Sequence, residues 1–252
     1  MSRAAGVHFT RLLLVALGIA ALEALCRTGL IKPLTLVPPS RMVIELAALI
    51  RDGDIAEDVA HTSTEVGVAF LIAIFLGILA GAVIQATPRL RRAVAPVLAS
   101  WYAVPSFVFY PLLVALLGLS TAPLIAIGAL SATPAMVIAT IAGLDRVPRV
   151  LLRTARIHRL SPAQTLWQIT LPSALPSLFT GLKLSFAYAF IGVIAGEFIL
   201  SGGGLGYSIA YAYESFETPK MYALMLLVLT VAIGVNSALA LWEARLLRRR
   251  AR

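Results

Sequence analysis

Six long apolar runs constrain this chain more than any other feature. They cover residues 12–30, 66–86, 97–117, 122–142, 178–200 and 222–242. Each is close to the roughly 20 apolar residues that a helix needs to cross a bilayer. Inside hydrocarbon the backbone must satisfy its own N–H and C=O groups, which leaves only helices or a closed barrel. The runs are continuously apolar and do not alternate, so helices are expected. Composition agrees: 60% of residues are hydrophobic and 13% charged, against about 45–50% and about 25% in an ordinary soluble domain. Mean hydropathy is +0.91. A disordered chain, an ordinary soluble enzyme and a basic nucleic-acid-binding domain are excluded. The expected fold class is all-α: a polytopic helical membrane protein of about six transmembrane helices, forming one domain over residues 1–252.

The first run follows Arg3 and Arg11, so a signal peptide is the competing reading. Glu23 interrupts the run and no A-x-A site follows closely, which favours a retained helix. The third run is broken by Pro105 and Pro111, and the fourth contains Pro134. Only residues 118–121 join the third to the fourth, so a tight helical hairpin is expected.

The net charge of +9 resolves into a topology. Arg3 and Arg11 precede the first span, and Arg89, Arg91 and Arg92 lie between the second and third. Arg146, Arg149, Arg153, Arg156 and Arg159 lie between the fourth and fifth, and Arg245, Arg248, Arg249, Arg250 and Arg252 follow the sixth. The alternate loops carry Asp52, Asp54, Glu57, Asp58, Glu214 and Glu217. Basic loops stay in the cytoplasm, so both termini are expected there. Some of the charge would also attract anionic lipid.

Two loops have structure of their own. In residues 34–64, Pro38 and Pro39 bar helix continuation, Ser40 can cap a short amphipathic run over 41–50, and Asp52-Gly53 marks a turn. The long cytoplasmic loop over 144–177 mixes Val147, Val150, Leu151, Leu152, Ala155 and Ile157 with arginines at helical spacing. Ser161-Pro162-Ala163-Gln164 follows, with the residue types of a capping box. Two short helices with a corner between them are expected, the second ending before Pro172. They read either as a docking knob or as an interfacial connector with Trp167 and the arginines at the headgroups.

Catalytic chemistry is absent from the motifs. No G-x-x-x-x-G-K-[ST], H-E-x-x-H, C-x-x-C or serine-hydrolase elbow occurs. The single Cys26 excludes a disulfide within the chain. His8, His61 and His158 lie far apart in sequence and suggest no metal cluster, so no metal, cofactor or catalytic residue is expected. Three acids lie in or beside the spans, and intramembrane acids are functional candidates by default. Glu65, at a span edge, is expected to be solvated, and Glu23 to be structural or interfacial. Glu197, just before Ser201 and three glycines, could polarise a pathway, bind a substrate group or pair within the bundle. Lys183 is expected to snorkel. Ala69, Ala73, Gly77 and Gly81, with Gly192 and Gly196, repeat at four-residue spacing and suit close helix approach.

One loop carries a resemblance. Arg153-Thr154-Ala155, then Arg159, then Ile169-Thr170-Leu171-Pro172 has the spacing of the E-A-A-x3-G-x9-I-x-L-P loop of binding-protein-dependent ABC importer permeases. Ala155, Ile169, Leu171 and Pro172 match; Arg153, Thr154 and Arg159 replace Glu, Ala and Gly. Further matches are Leu36-Val37-Pro38-Pro39-Ser40, the prolines Pro96, Pro105 and Pro111, and Gly196-Glu197-Phe198 followed by Gly204-Leu205-Gly206-Tyr207. Together they resemble the nitrate/sulfonate/taurine branch.

The resemblance implies a type I ABC importer permease fold in the bacterial inner membrane. It implies a second permease copy, two cytoplasmic ATPases that bind the ATP, a periplasmic or lipid-anchored substrate-binding protein, and a small anionic or sulfonate-type solute. It also makes Arg153, Thr154, Ala155, Arg159, Ala163, Leu166, Ile169, Leu171 and Pro172 the ATPase-coupling loop. Arg159, in place of Gly, implies a reshaped corner, a divergent ATPase or weakened coupling. The candidate pathway residues are Tyr102, Ser106 and Tyr110, beside Trp101 and Phe107 in the third span, with Glu197 in the fifth. The alternatives are an ion-coupled secondary transporter using Glu197 or Glu23, and a membrane scaffold.

Overall fold

The computed structural model describes residues 3–32, 34–200 and 202–250; Pro33 and Ser201 fall outside, as do the side chains at 3–9, 11, 12, 102, 200 and 247–250. Among the described residues every regular element is helical. They are α1 (Arg3–Arg27), α2 (Pro39–Asp52), α3 (Ala56–Ala86), α4 (Pro88–Ser100), α5 (Tyr110–Leu117), α6 (Ala122–Asp145), α7 (Arg149–Ile157), α8 (Pro162–Thr165), α9 (Leu171–Leu200), α10 (Leu205–Glu214) and α11 (Thr218–Arg250). Two 3₁₀ turns, Trp101–Ala103 and Ser106–Phe109, separate α4 from α5, and a π-helical turn, Leu166–Thr170, joins α8 to α9.

Four of these stretches are long and apolar enough to cross a membrane: Ala56–Ala86, Ala122–Asp145, Pro162–Ile199 and Thr218–Leu246. They carry the second, fourth, fifth and sixth expected spans. The first expected span lies in α1. The third does not form one helix. Pro105 has an extended backbone and opens the second 3₁₀ turn, while Pro111 sits in the first turn of α5, where its missing N–H breaks no helical bond. The hairpin over 118–121 forms as its length requires, with Gly118 at φ +76, a conformation that costs glycine nothing.

The chain divides into two compact units. The first holds residues 1–60 and 198–231. Here Glu23 of α1 accepts from Ser40 Oγ at 2.6 Å and from the Ser40 N–H at 3.0 Å, while Arg27 Nε donates to it at 2.6 Å. The expectation that Ser40 caps α2 is thus replaced: α2 starts at Pro39, and a carboxylate from α1 takes up the Ser40 N–H and hydroxyl. Asp58 plays the same part for α10, accepting from the Gly204 N–H at 3.1 Å and from the Ser208 hydroxyl.

The second unit holds residues 61–197 and 232–252, and α6 is its central helix. On α3, Ala69 and Ala73 are fully buried. A Cβ on Gly77 would lie 2.4 Å from Met136 Cβ, and one on Gly81 would lie 2.6 Å from Thr140 Cβ. On α9, a Cβ on Gly181 would meet Ala139 at 2.5 Å, one on Gly192 the Ser131 hydroxyl at 2.9 Å, and one on Gly196 Leu124 at 2.7 Å. Both four-residue rows therefore let a neighbouring backbone approach α6 at contact distance. Lys183 does not merely snorkel: its Nζ donates to Glu243 Oε2 at 2.6 Å. Arg91 and Asp145 form a bidentate pair at 2.9 and 2.7 Å, which raises the Arg91 pKa further above its ordinary value.

Candidate functional site

The loop between α6 and α9 forms the expected two helices and a corner. Amphipathic α7 ends in a Schellman motif: Leu160 N–H donates to Ala155 O at 2.9 Å and Arg159 N–H to Arg156 O at 3.1 Å. Arg159 is the left-handed residue of that motif, with φ +52. The corner is therefore closed by a left-handed helix stop. An arginine holds the conformation that glycine adopts without strain, at a cost of roughly 1–2 kcal/mol.

Ser161 then opens α8 with a complete capping box, Ser161 Oγ accepting from Gln164 N and Gln164 Oε1 accepting from Ser161 N. The expected stop before Pro172 does not occur. The helix continues through a π turn in which Leu171 N–H reaches back to Leu166 O. Pro172 thus lies inside one helical stretch, Pro162–Ile199, and the π turn just before it is the local adjustment that accommodates its missing N–H.

Of the loop residues singled out, Ala155 is 2% exposed. Ile169, Leu171 and Pro172 are half-buried, and Arg153, Thr154, Arg159, Ala163 and Leu166 are exposed. Val150, Leu151, Ile157 and Trp167 are exposed beside them. The loop thus presents an apolar surface interleaved with arginines, the kind of patch that marks an interaction site on an otherwise charged face.

The broken third span lines a cavity of about 240 Å³ in the second unit, with Trp101, Ser106 and Phe107 facing Ser131 of α6 and Tyr188 and Gly192 of α9. The indole Nε1 of Trp101 is buried there without a hydrogen-bond partner among the described residues. Tyr110 and Glu197 do not line this cavity. The Tyr102 side chain lies outside the described residues. Sequence reasoning missed Tyr188 and Ser131, whose cavity-facing position depends on how α6 and α9 pack.

Glu197 is fully buried and accepts from Thr62 Oγ1 at 2.7 Å. The solvated Glu65 expected from the sequence is overturned: its side chain is 2% exposed. The helix begins at Ala56, so Glu65 lies well inside it and faces α9. His61, one turn earlier, places Nδ1 3.5 Å from Glu65 Oε1. Glu23, which an ion-coupled transporter could have used, is instead occupied by Ser40 and Arg27.

Residues 73–252 match the family described as the binding-protein-dependent transport system inner membrane component. The chain belongs to this family. It is 27% identical over 222 residues to the taurine transport system permease protein TauC of Escherichia coli (strain K12), covering 86% of this chain and 81% of that protein. It is also 27% identical over 237 residues to the putative aliphatic sulfonates transport permease protein SsuC of Bacillus subtilis (strain 168), covering 94% and 86%. These relatives bear out the branch resemblance. An inward-facing structure of the MetNI methionine ABC transporter superposes with a TM-score of 0.62 at 18% identity, covering 76% of this chain and 94% of that one. That likeness bears out the type I permease fold. Membership in this family sets the secondary-transporter reading aside.

Proposed function

We propose that this chain is the membrane-spanning subunit of an ABC importer, working as one of two permease copies with two cytoplasmic ATPases and an external substrate-binding protein. The observation that carries the reading is the exposed corner from α7 to the π turn. It keeps the corner and cap geometry of a rigid knob while leaving Leu166, Trp167 and Ile157 uncovered. The ATPase would seat there, with Ala163 and Leu166 in the contact. Both termini and this corner would face the cytoplasm of a bacterial cell, and α2 the outside.

The proposed solute is a small anion of the sulfonate type. The cavity beside the broken third span offers the unpartnered indole N–H of Trp101 and the hydroxyl of Ser106, and among the described residues no lysine or arginine lines it. Neutral donors in an apolar cavity can hold an oxyanion loosely enough to release it on transport. Uptake should be measured in proteoliposomes containing the assembled transporter, with a panel of small organosulfonates and inorganic oxyanions. ATP-dependent uptake of a sulfonate, weakened by Trp101→Phe, supports the assignment. ATP-dependent uptake of an uncharged solute alone would replace the substrate class.

A further inference from the structure

Three lone-pair groups converge between α3 and α9. His61, Glu65 and Glu197 place ligand atoms within 4.8 Å of one another. His61 and Glu65 stand one helical turn apart, so both face α9. Glu197 is held in orientation by the Thr62 hydroxyl at 2.7 Å, the role an outer-shell partner plays for a ligating carboxylate. Among the described residues neither oxygen of Glu65 has a hydrogen-bond partner, and neither does Nδ1 of His61. Glu65 is 2% exposed and Glu197 0%. A buried carboxylate without a donor is costly, and two side by side are more so.

We propose that His61, Glu65 and Glu197 form a binding site for a divalent cation of the zinc or manganese class, which ties α3 to α9. One divalent ion matches the charge of two carboxylates and takes the imidazole lone pair as well. A single shared proton neutralises only one carboxylate. The mixed nitrogen and oxygen donor set suits zinc or manganese better than calcium or magnesium, which prefer oxygen alone. Metal–ligand bonds of about 2.0–2.2 Å put tetrahedral ligand atoms about 3.4 Å apart. The His61–Glu65 separation is already 3.5 Å, so only Glu197 need draw closer. His61 is about one-third exposed, which gives the ion a way in and leaves room for a water as fourth ligand. The site would act as a brace and is independent of the cargo.

The full chain, without a histidine tag and carrying His158→Gln, should be stripped with chelator in nanodiscs. It should then be repleted with zinc, manganese, magnesium or calcium chloride. Bound metal after desalting and the thermal midpoint are the readouts. About one equivalent of zinc or manganese per chain should be retained, with a raised midpoint, and magnesium and calcium should do neither. Glu65→Gln should lose the ion. His61→Gln, at a part-exposed position that folding tolerates, should bind at least about tenfold more weakly, since removing even an outer-shell partner costs 10–100-fold. Retention undiminished in His61→Gln would overturn the site. So would a parent that retains no metal and whose midpoint follows pH alone, the mark of a shared proton.

Discussion

Ser161 and Gln164 cap one another. Ser161 Oγ accepts from the Gln164 N–H at 3.2 Å, and Gln164 Oε1 accepts from the Ser161 N–H at 2.8 Å. The pair satisfies two backbone donors at the start of α8, the first turn of the helical stretch that runs through the π turn into α9. Ser161→Ala should cost about 1 kcal/mol locally. Trypsin cleavage after Arg156 and Arg159 should then be faster in the variant than in the parent, with membrane insertion unchanged.

Arg159 gives a prediction of opposite sign. Its left-handed backbone stores strain that glycine would not. Arg159→Gly should relieve that strain, and the greater freedom of glycine in the unfolded chain takes part of the gain back. The net should be a stabilisation of about 0.5–1 kcal/mol, read as a higher thermal midpoint. Arg159→Val, β-branched at a positive φ, should lower the midpoint.

The glycine rows separate close packing from composition. A Cβ at Gly81 would stand 2.6 Å from Thr140 Cβ and 2.9 Å from Val137 O, whereas one at Gly67 meets nothing within 4 Å. Gly81→Ala should cost about 1–3 kcal/mol by overpacking, and Gly67→Ala should be neutral or slightly stabilising. Thermal unfolding of the two variants in the same detergent checks the contrast.

Orientation follows from charge. With Cys26 replaced by serine, a cysteine at Asp54 should be labelled by an impermeant maleimide from outside intact spheroplasts. A cysteine at Arg156 should be labelled only after permeabilisation. Labelling of both from outside would contradict the arrangement.

What the sequence disclosed and what it hid divide by range. The spans in α3, α6, α9 and α11 were legible because a run of apolar residues has one solution in hydrocarbon. The hairpin at Gly118 and the capping box at Ser161 were legible because each is decided within four residues. Pro172 misled, because a proline that a π turn accommodates inside a helix looks the same in sequence as one that ends it. Ser40 misled because its partner, Glu23, lies 17 residues earlier on another helix. Glu65 misled more. A hydropathy boundary placed it at the rim, and its neighbour Glu197 stands on another helix, where it accepts from Thr62 across 135 residues of sequence. No local pattern encodes that pairing.

The central claim is that the exposed corner couples this permease to an ATPase, and copurification tests it most directly. The chain should be expressed with the P-loop ABC ATPases of its source genome and purified through the permease. The parent should bring down the ATPase in about equal amount. Leu166→Asp and Ala163→Asp, both at exposed positions, should insert normally and lose it, together with ATP-dependent uptake. If the ATPase is retained in full with either aspartate in place, the docking surface lies elsewhere and the account of the corner fails.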